Sequence, residues 1–171
     1  MGKLNWWLIM NEKRLFDLRE YKDLSQIKLA DYLGITQQTY SLWEKGTKII
    51  PLKHLNNLSN FYEISMDYIV GLTDEKNNSG IIKLTELNKN EIGSRIKKIR
   101  EDNNLTLRDL AKELNTTSST ISAYETGKTL ILTAFAYQIC IKYNVSLDWY
   151  VGKENNMAKH IIFLIFRQII F

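Results

Sequence analysis

The chain has 171 residues, 44% of them apolar, with 23 basic against 19 acidic side chains. This is the composition of a globular chain long enough for one ordinary domain or two small ones, so a real core is expected. The net charge of +4 permits a polyanionic partner but is too small to identify one. Cys140 is the only cysteine, which excludes an intrachain disulfide and fits a reducing, cytoplasmic setting. Its expected role is that of a small buried helix residue.

In chain order, the opening MGKLNWWLIM carries an apolar patch too brief for the core of a signal peptide, and Trp6 stands where a myristoylation signal needs Ser or Thr. Residues 1–9 are therefore set apart as a leader of open role. From residue 10 to 71 the apolar positions recur at helical spacing, with short turns between and no sustained alternation of the strand kind. Five helices are expected, near Lys13 to Tyr21, Gln26 to Leu33, Gln37 to Glu44, Leu52 to Tyr62 and Met66 to Val70. Ser25 and Thr36 are suited to cap the second and third helices, since a hydroxyl accepts an otherwise unpaired backbone N–H. Gly46 can end the third helix with positive φ. Pro51, the only proline, stands at the start of the fourth helix, where its missing donor costs little.

The pattern then repeats. Shifted by 81 positions, the chain matches itself without a gap from Arg14/Arg95 to Gly71/Gly152, with identities at Arg19/Arg100, Leu29/Leu110, Ala30/Ala111, Thr36/Thr117, Glu44/Glu125 and Gly46/Gly127. The period is too long for a solenoid unit, so each copy is a small domain with its own core. Residues 72–90, containing DEKNNSG, form the expected linker, and 91–152 the second domain, with Thr106 and Thr117 as its corresponding caps. Residues 153–171 are the tail. Its run HIIFLIFRQIIF is strongly apolar, but Arg167 interrupts it and it falls short of the roughly 20 residues that span a bilayer. No integral membrane insertion is expected, and dimerisation, membrane-surface and inconsequential roles for the tail stay open.

Within each copy the second and third helices have the pattern of a helix-turn-helix. Leu29 and Leu33 lie one turn apart on one helix, and Tyr40 and Trp43 three apart on the next, so the two apolar faces can close on each other. Ala30 and Ala111 are small where crossing helices must approach. Gly34 sits at the turn, where a left-handed conformation is expected, and Asn115 takes its place in the second copy. The solvent side of the third helix is then Gln37, Gln38, Ser41 and Lys45.

The strings LSQIKLADYLGITQQTYSLWEKG and LTLRDLAKELNTTSSTISAYETG, followed by ISMDYIVG and VSLDWYVG, resemble the Cro/cI-type, or xenobiotic-response-element (XRE), family of helix-turn-helix regulators over residues 14–71 and 95–152. The resemblance implies an all-α chain of two tandem lambda-repressor-like five-helix DNA-binding domains, the third helix of each entering the major groove. It implies that Gln26 contacts a phosphate and that Gln37 and Gln38 read bases, an amide being able to bond adenine N6 and N7 together. Thr39, Ser41 and Lys45 complete the first contact surface. Arg19 with Glu44, and Arg100 with Glu125, match a scaffold pair that ties the first helix to the end of the third.

The second copy departs from this. Leu107 stands for Gln26, while Ser118 and Ser119 stand for Gln37 and Gln38, leaving Ser118, Ser119, Thr120, Ser122 and Lys128 as shorter, less discriminating contacts. A second DNA site of different preference and a retained fold turned interaction module both stay open, the first being favoured. Cations and anions balance at eight each over residues 11–71 and stand at eight to six over 92–152, so non-specific affinity should be modest and specific binding should lean on geometry and dimerisation.

His54 and His160 are each isolated from ligand partners, and there is no phosphate-binding glycine loop, so no cofactor, metal or catalytic residue is expected. His54 is assigned to the surface of the fourth helix, and Phe61, Tyr62, Tyr68, Trp149 and Tyr150 to core faces. The expected function is that of a sequence-specific DNA-binding transcriptional regulator, a repressor by family default. Its partners would be a double-stranded DNA operator and, if only the first copy reads, a second copy of the chain in a homodimer. The rival is a protein-interaction module, such as an antitoxin or anti-repressor, built on the same fold.

Overall fold

The structure, a computed structural model, describes residues 12–76 and 82–154; these form ten helices and no strand. The chain divides into two compact units between Asn78 and Ser79.

The first unit holds α1 (Glu12–Tyr21), α2 (Gln26–Leu33), α3 (Gln37–Glu44), α4 (Leu52–Tyr62) and α5 (Met66–Ile69). Each boundary has a local cause. The Ser25 hydroxyl accepts from Lys28 N–H at 3.2 Å and the Thr36 hydroxyl from Thr39 N–H at 3.2 Å, which opens α2 and α3. α2 stops because Gly34 adopts φ +65°, which lets Ile35 N–H return to the Ala30 carbonyl and Gly34 N–H to that of Asp31. α2 and α3 then pack closely, with Leu29, Ala30 and Leu33 of α2 and Tyr40 and Trp43 of α3 in a buried core completed by Leu55 and Leu58 of α4 and Met66 of α5. Each large apolar side chain so buried contributes about 1.5–3 kcal/mol.

The second unit repeats this plan in α6 (Lys89–Asp102), α7 (Leu107–Glu113), α8 (Ser118–Glu125), α9 (Thr133–Tyr143) and α10 (Leu147–Val151). Thr106 and Asp109 form a reciprocal capping box at the start of α7, and the Thr117 hydroxyl accepts from Thr120 N–H at 3.2 Å at the start of α8. Asn115 takes the left-handed turn position at φ +52°. The correspondence is general among the described residues. Asp23, Gly34, Gly46, Glu63 and Gly71 all have positive φ, and so do Asn104, Asn115, Gly127, Asn144 and Gly152, each 81 positions on. The duplication thus extends from side chains to the few backbone sites where the chain must turn against its ordinary handedness.

Three assignments need correction. His54 is half-buried, because its ring packs 5.3 Å from that of Trp43. Phe61 and Tyr68 are half-buried instead of core: Phe61 packs against the exposed Tyr32 with ring centroids 4.7 Å apart and the rings tilted at 54°, and Tyr68 lies beneath the Arg14 guanidinium at 4.5 Å. Tyr62, Trp149, Tyr150 and Cys140 are buried as expected. The expected linker 72–90 gives both ends to the units. Leu72 and Thr73 are buried in the first, with Arg14 bonded to the Thr73 carbonyl and to Asp74, while α6 begins at Lys89 and Ile82 N–H donates to the Lys153 carbonyl at 2.7 Å in the second. The leader at 1–9 and the apolar run of the tail lie outside the described residues.

Candidate nucleic-acid interface

The turn between α2 and α3 brings the first residues of both helices together. Gln26 is the first residue of α2 and Gln37 the first of α3, and Gln37 Nε2 donates to Gln26 Oε1 at 2.6 Å. Gln26 Nε2 in turn donates to Glu44 Oε2 at 2.6 Å. Glu44, the last residue of α3, is buried and paired with Arg19 of α1, Nε to Oε1 at 2.6 Å and Nη2 to Oε2 at 3.3 Å. The hydrogen bond from Arg19 to Glu44 holds the guanidinium above its ordinary pKa. Burial pushes the Tyr40 phenol well up and that of Tyr62 up to about 12, so both stay neutral. Burial against Trp43, with Lys53 nearby, moves His54 down.

Gln37, Gln38 and Lys45 are exposed along α3 and its end, whereas Gln26, Thr39 and Ser41 are half-buried. Thr39 turns its hydroxyl back to that of the cap residue Thr36 at 2.9 Å, and this bond competes with any outward contact. Neither Gln38 nor Lys45 has a side-chain hydrogen bond or ion pair among the described residues, and both remain available.

The second unit keeps the scaffold and loses the amides. Arg100 Nε donates to Glu125 Oε1 at 2.6 Å and Nη2 to Oε2 at 3.0 Å, but Leu107 occupies the Gln26 position and the chain of polar contacts ends there. The Thr117 hydroxyl engages those of Ser119 at 2.8 Å and Thr120 at 2.9 Å. Ser118 and Ser122 are half-buried and Lys128 is exposed. The bridge from Glu44 to Gln26 was not anticipated, since nothing in the order of residues shows that three helices converge on one carboxylate. Among the described residues no group of three His, Cys, Asp or Glu side chains could hold a metal ion, and no helix is long and apolar enough to cross a membrane.

This arrangement can present amides and the Lys45 cation to a grooved polyanion. Helix-turn-helix family models match residues 15–69 and 93–156. An uncharacterized HTH-type transcriptional regulator, YobD of Bacillus subtilis, is 40% identical over 63 residues, which are 37% of this chain and 56% of the relative. YqaE of the same organism, described in the same terms, is 38% identical over 68 residues, 39% of this chain and 59% of the relative. The cryptic phage CTXphi transcriptional repressor RstR of Vibrio cholerae is 31% identical over 86 residues, covering 48% of this chain and 78% of the relative. No solved structure matches. The chain thus spans somewhat more than half the length of the first two relatives. With a helix-turn-helix in each unit and RstR matched over most of its length, this chain belongs to the XRE-type helix-turn-helix family, of which it carries two tandem copies.

Proposed function

We propose that the chain is a cytoplasmic, sequence-specific DNA-binding transcriptional regulator acting as a repressor, with α3 in the major groove. The observation that carries this reading is the exposure of Gln37 and Gln38 at the first turn of α3, the end that meets base edges in this architecture, with Lys45 exposed at the other end. An amide offers a donor and an acceptor together and therefore chooses bases, while an isolated cation meets phosphate and chooses none. Gln26, Thr39 and Ser41 support the same surface. The description of RstR as a repressor favours that output.

Ser118, Ser119, Thr120, Ser122 and Lys128 give the second unit a weaker, differently tuned contact. Its readers are short and partly engaged with Thr117, so Lys128 and the backbone around α8 carry most of that contact. A homodimer is the alternative source of a second half-site.

Sites selected from random duplexes at one stated salt concentration provide the test. Gln37→Ala and Gln38→Ala should each cost about 1–3 kcal/mol on the selected site and little on random duplex. Lys45→Ala should weaken both alike and lower the salt slope by about one. Circular dichroism confirms that each variant is folded. Full retention of sequence preference by folded Gln37→Ala and Gln38→Ala variants would overturn the assignment and favour a protein-binding role for the fold.

A further inference from the structure

The first unit exposes a surface of aromatic rings that the second unit has replaced with charge. Tyr21, the last residue of α1, is 84% exposed, and Tyr32, near the end of α2, is 52% exposed. The Tyr32 ring lies 4.7 Å from that of Phe61 near the end of α4, and the Lys22 ammonium sits 5.9 Å over the Phe61 ring. Lys22 follows Tyr21 directly, and Lys76 lies 5.8 Å over the Tyr21 ring. The ends of three helices thus share one face of rings and cations. At the positions 81 residues on, Tyr21, Tyr32 and Phe61 become Asp102, Glu113 and Lys142. There Lys98 pairs with Asp102 at 2.9 Å and Lys142 with Glu113 at 2.7 Å, so ion pairs close the same face. One five-helix plan stands on either set, and the plan therefore does not require the rings.

We infer that this face of the first unit docks a short segment of a partner protein that combines acidic with apolar side chains. Charge and area choose the occupant. Lys22 and Lys76 are exposed, and among the described residues both lie over rings and neither enters an ion pair, whereas Glu20 and Asp74 are engaged by Arg19 and Arg14. An ammonium over a ring keeps its charge and has an open side for a carboxylate. At about 150–250 Å² for an aromatic side chain, Tyr21 and Tyr32 leave about 200–340 Å² in water, to which the half-buried Phe61 adds a little. That is enough to mark an interaction site but less than the apolar half of the roughly 800 Å² that each partner gives to a stable interface between domains. It fits a peptide better than a second copy of the chain. A single nucleic-acid strand fits less well, because it needs open ring faces and a positive groove. The Phe61 ring is taken up by Lys22 and Tyr32, and residues 12–76 carry nine cations against ten anions. Tyr32 also lies six residues beyond Gln26, about 9 Å farther along α2, which keeps this face off the junction of Gln26 with Gln37.

The experiment presents the full chain to a displayed library of random peptides about 12 residues long. The enriched peptides should combine Asp or Glu with Leu, Ile or Phe. A synthetic copy of the most enriched one should lose at least about tenfold in affinity for the double variant Tyr32→Glu with Phe61→Lys, which transplants the pair that the second unit already has. Lys22→Glu alters one exposed side chain over a ring, so it tests the same face without disturbing the core, and it should weaken the acidic peptide by repulsion. Circular dichroism establishes that each variant is folded. Enrichment of peptides without acidic residues, or full affinity in folded Lys22→Glu and in the folded double variant, overturns the proposal. Self-association of the full chain in sedimentation that the double variant abolishes would overturn it in favour of a second copy. Binding of a single-stranded oligonucleotide that the same variant abolishes would overturn it in favour of nucleic acid.

Discussion

Arg19 of α1 and Glu44 at the end of α3 stand 25 residues apart in the chain and meet at 2.6 Å, with side-chain exposures of 9% and 4%. Arg100 and Glu125 repeat the pair at the same separation and the same distance, at 12% and 7% exposure. A pair this buried contributes little net stability against an apolar substitute, yet removing one partner strands a charge out of water. Arg19→Ala should therefore cost the first unit about 3–5 kcal/mol, and Arg100→Ala somewhat less in the second because more water reaches it. Urea unfolding of each variant reads this, and a loss below about 1 kcal/mol in Arg19→Ala would show that Glu44 finds other partners or stays hydrated.

Gly93 allows α6 to lie directly on the end of α8. A Cβ at that position would sit 2.5 Å from the carbonyl oxygens of both Tyr124 and Glu125, backbone atoms that cannot rotate aside. Gly93→Ala gains helix propensity locally, but the overpacking term is larger, and a net loss of about 1–3 kcal/mol is expected. A variant as stable as the wild type in urea would mean that α6 and α8 separate at no cost.

Gly34 and Asn115 fill the same left-handed turn, at φ +65° and +52°. Nothing lies within 4 Å of a Cβ built on Gly34, so a substitution there is penalised by backbone conformation alone. Gly34→Ala should cost about 1–2 kcal/mol, and Gly34→Asn clearly less, since an Asn side chain relieves the strain by local hydrogen bonding. Equal losses for the two, measured by thermal unfolding, would place the cost in packing instead.

Helix ends were readable because each depends on one or two neighbouring residues. Ser25, Thr36, Thr106 and Thr117 cap where a hydroxyl precedes an apolar period, and the duplication presented each signal twice. The Arg19–Glu44 pair was readable only through the family pattern, because its partners are far apart in the chain. The link from Glu44 to Gln26 was not, since it requires three side chains from different helices to converge. His54 misled because an isolated histidine on a polar stretch resembles a surface residue until Trp43 is placed beside it. Gly93 was passed over for a similar reason: a lone glycine within a helical period shows nothing of the backbone that crosses it.

Lys153 carries a prediction whose sign can be worked out. It is fully buried beyond α10, and desolvation lowers its pKa from the ordinary 10.5 to about 8, with Asp148 opposing the shift and Lys83 adding to it. Between those two values the unfolded chain holds a proton that the folded unit has released, so raising the pH favours folding. The group thus withholds stability below about pH 8 and returns it progressively above, with a slope of up to about 1.4 kcal/mol per pH unit. Tyr150 works in the opposite direction, since complete burial raises its pKa and makes ionisation in the unfolded chain destabilising, but that begins only near the ordinary tyrosine value of about 10. The clean window is therefore from about pH 8 to 9.5. Urea unfolding across it should show the wild type gaining stability relative to Lys153→Met, which has no proton to lose. The variant should be the more stable of the two at neutral pH, where the buried ammonium costs most. A difference between the two chains that does not change over this window would show that Lys153 is solvated as an ordinary lysine in the folded state.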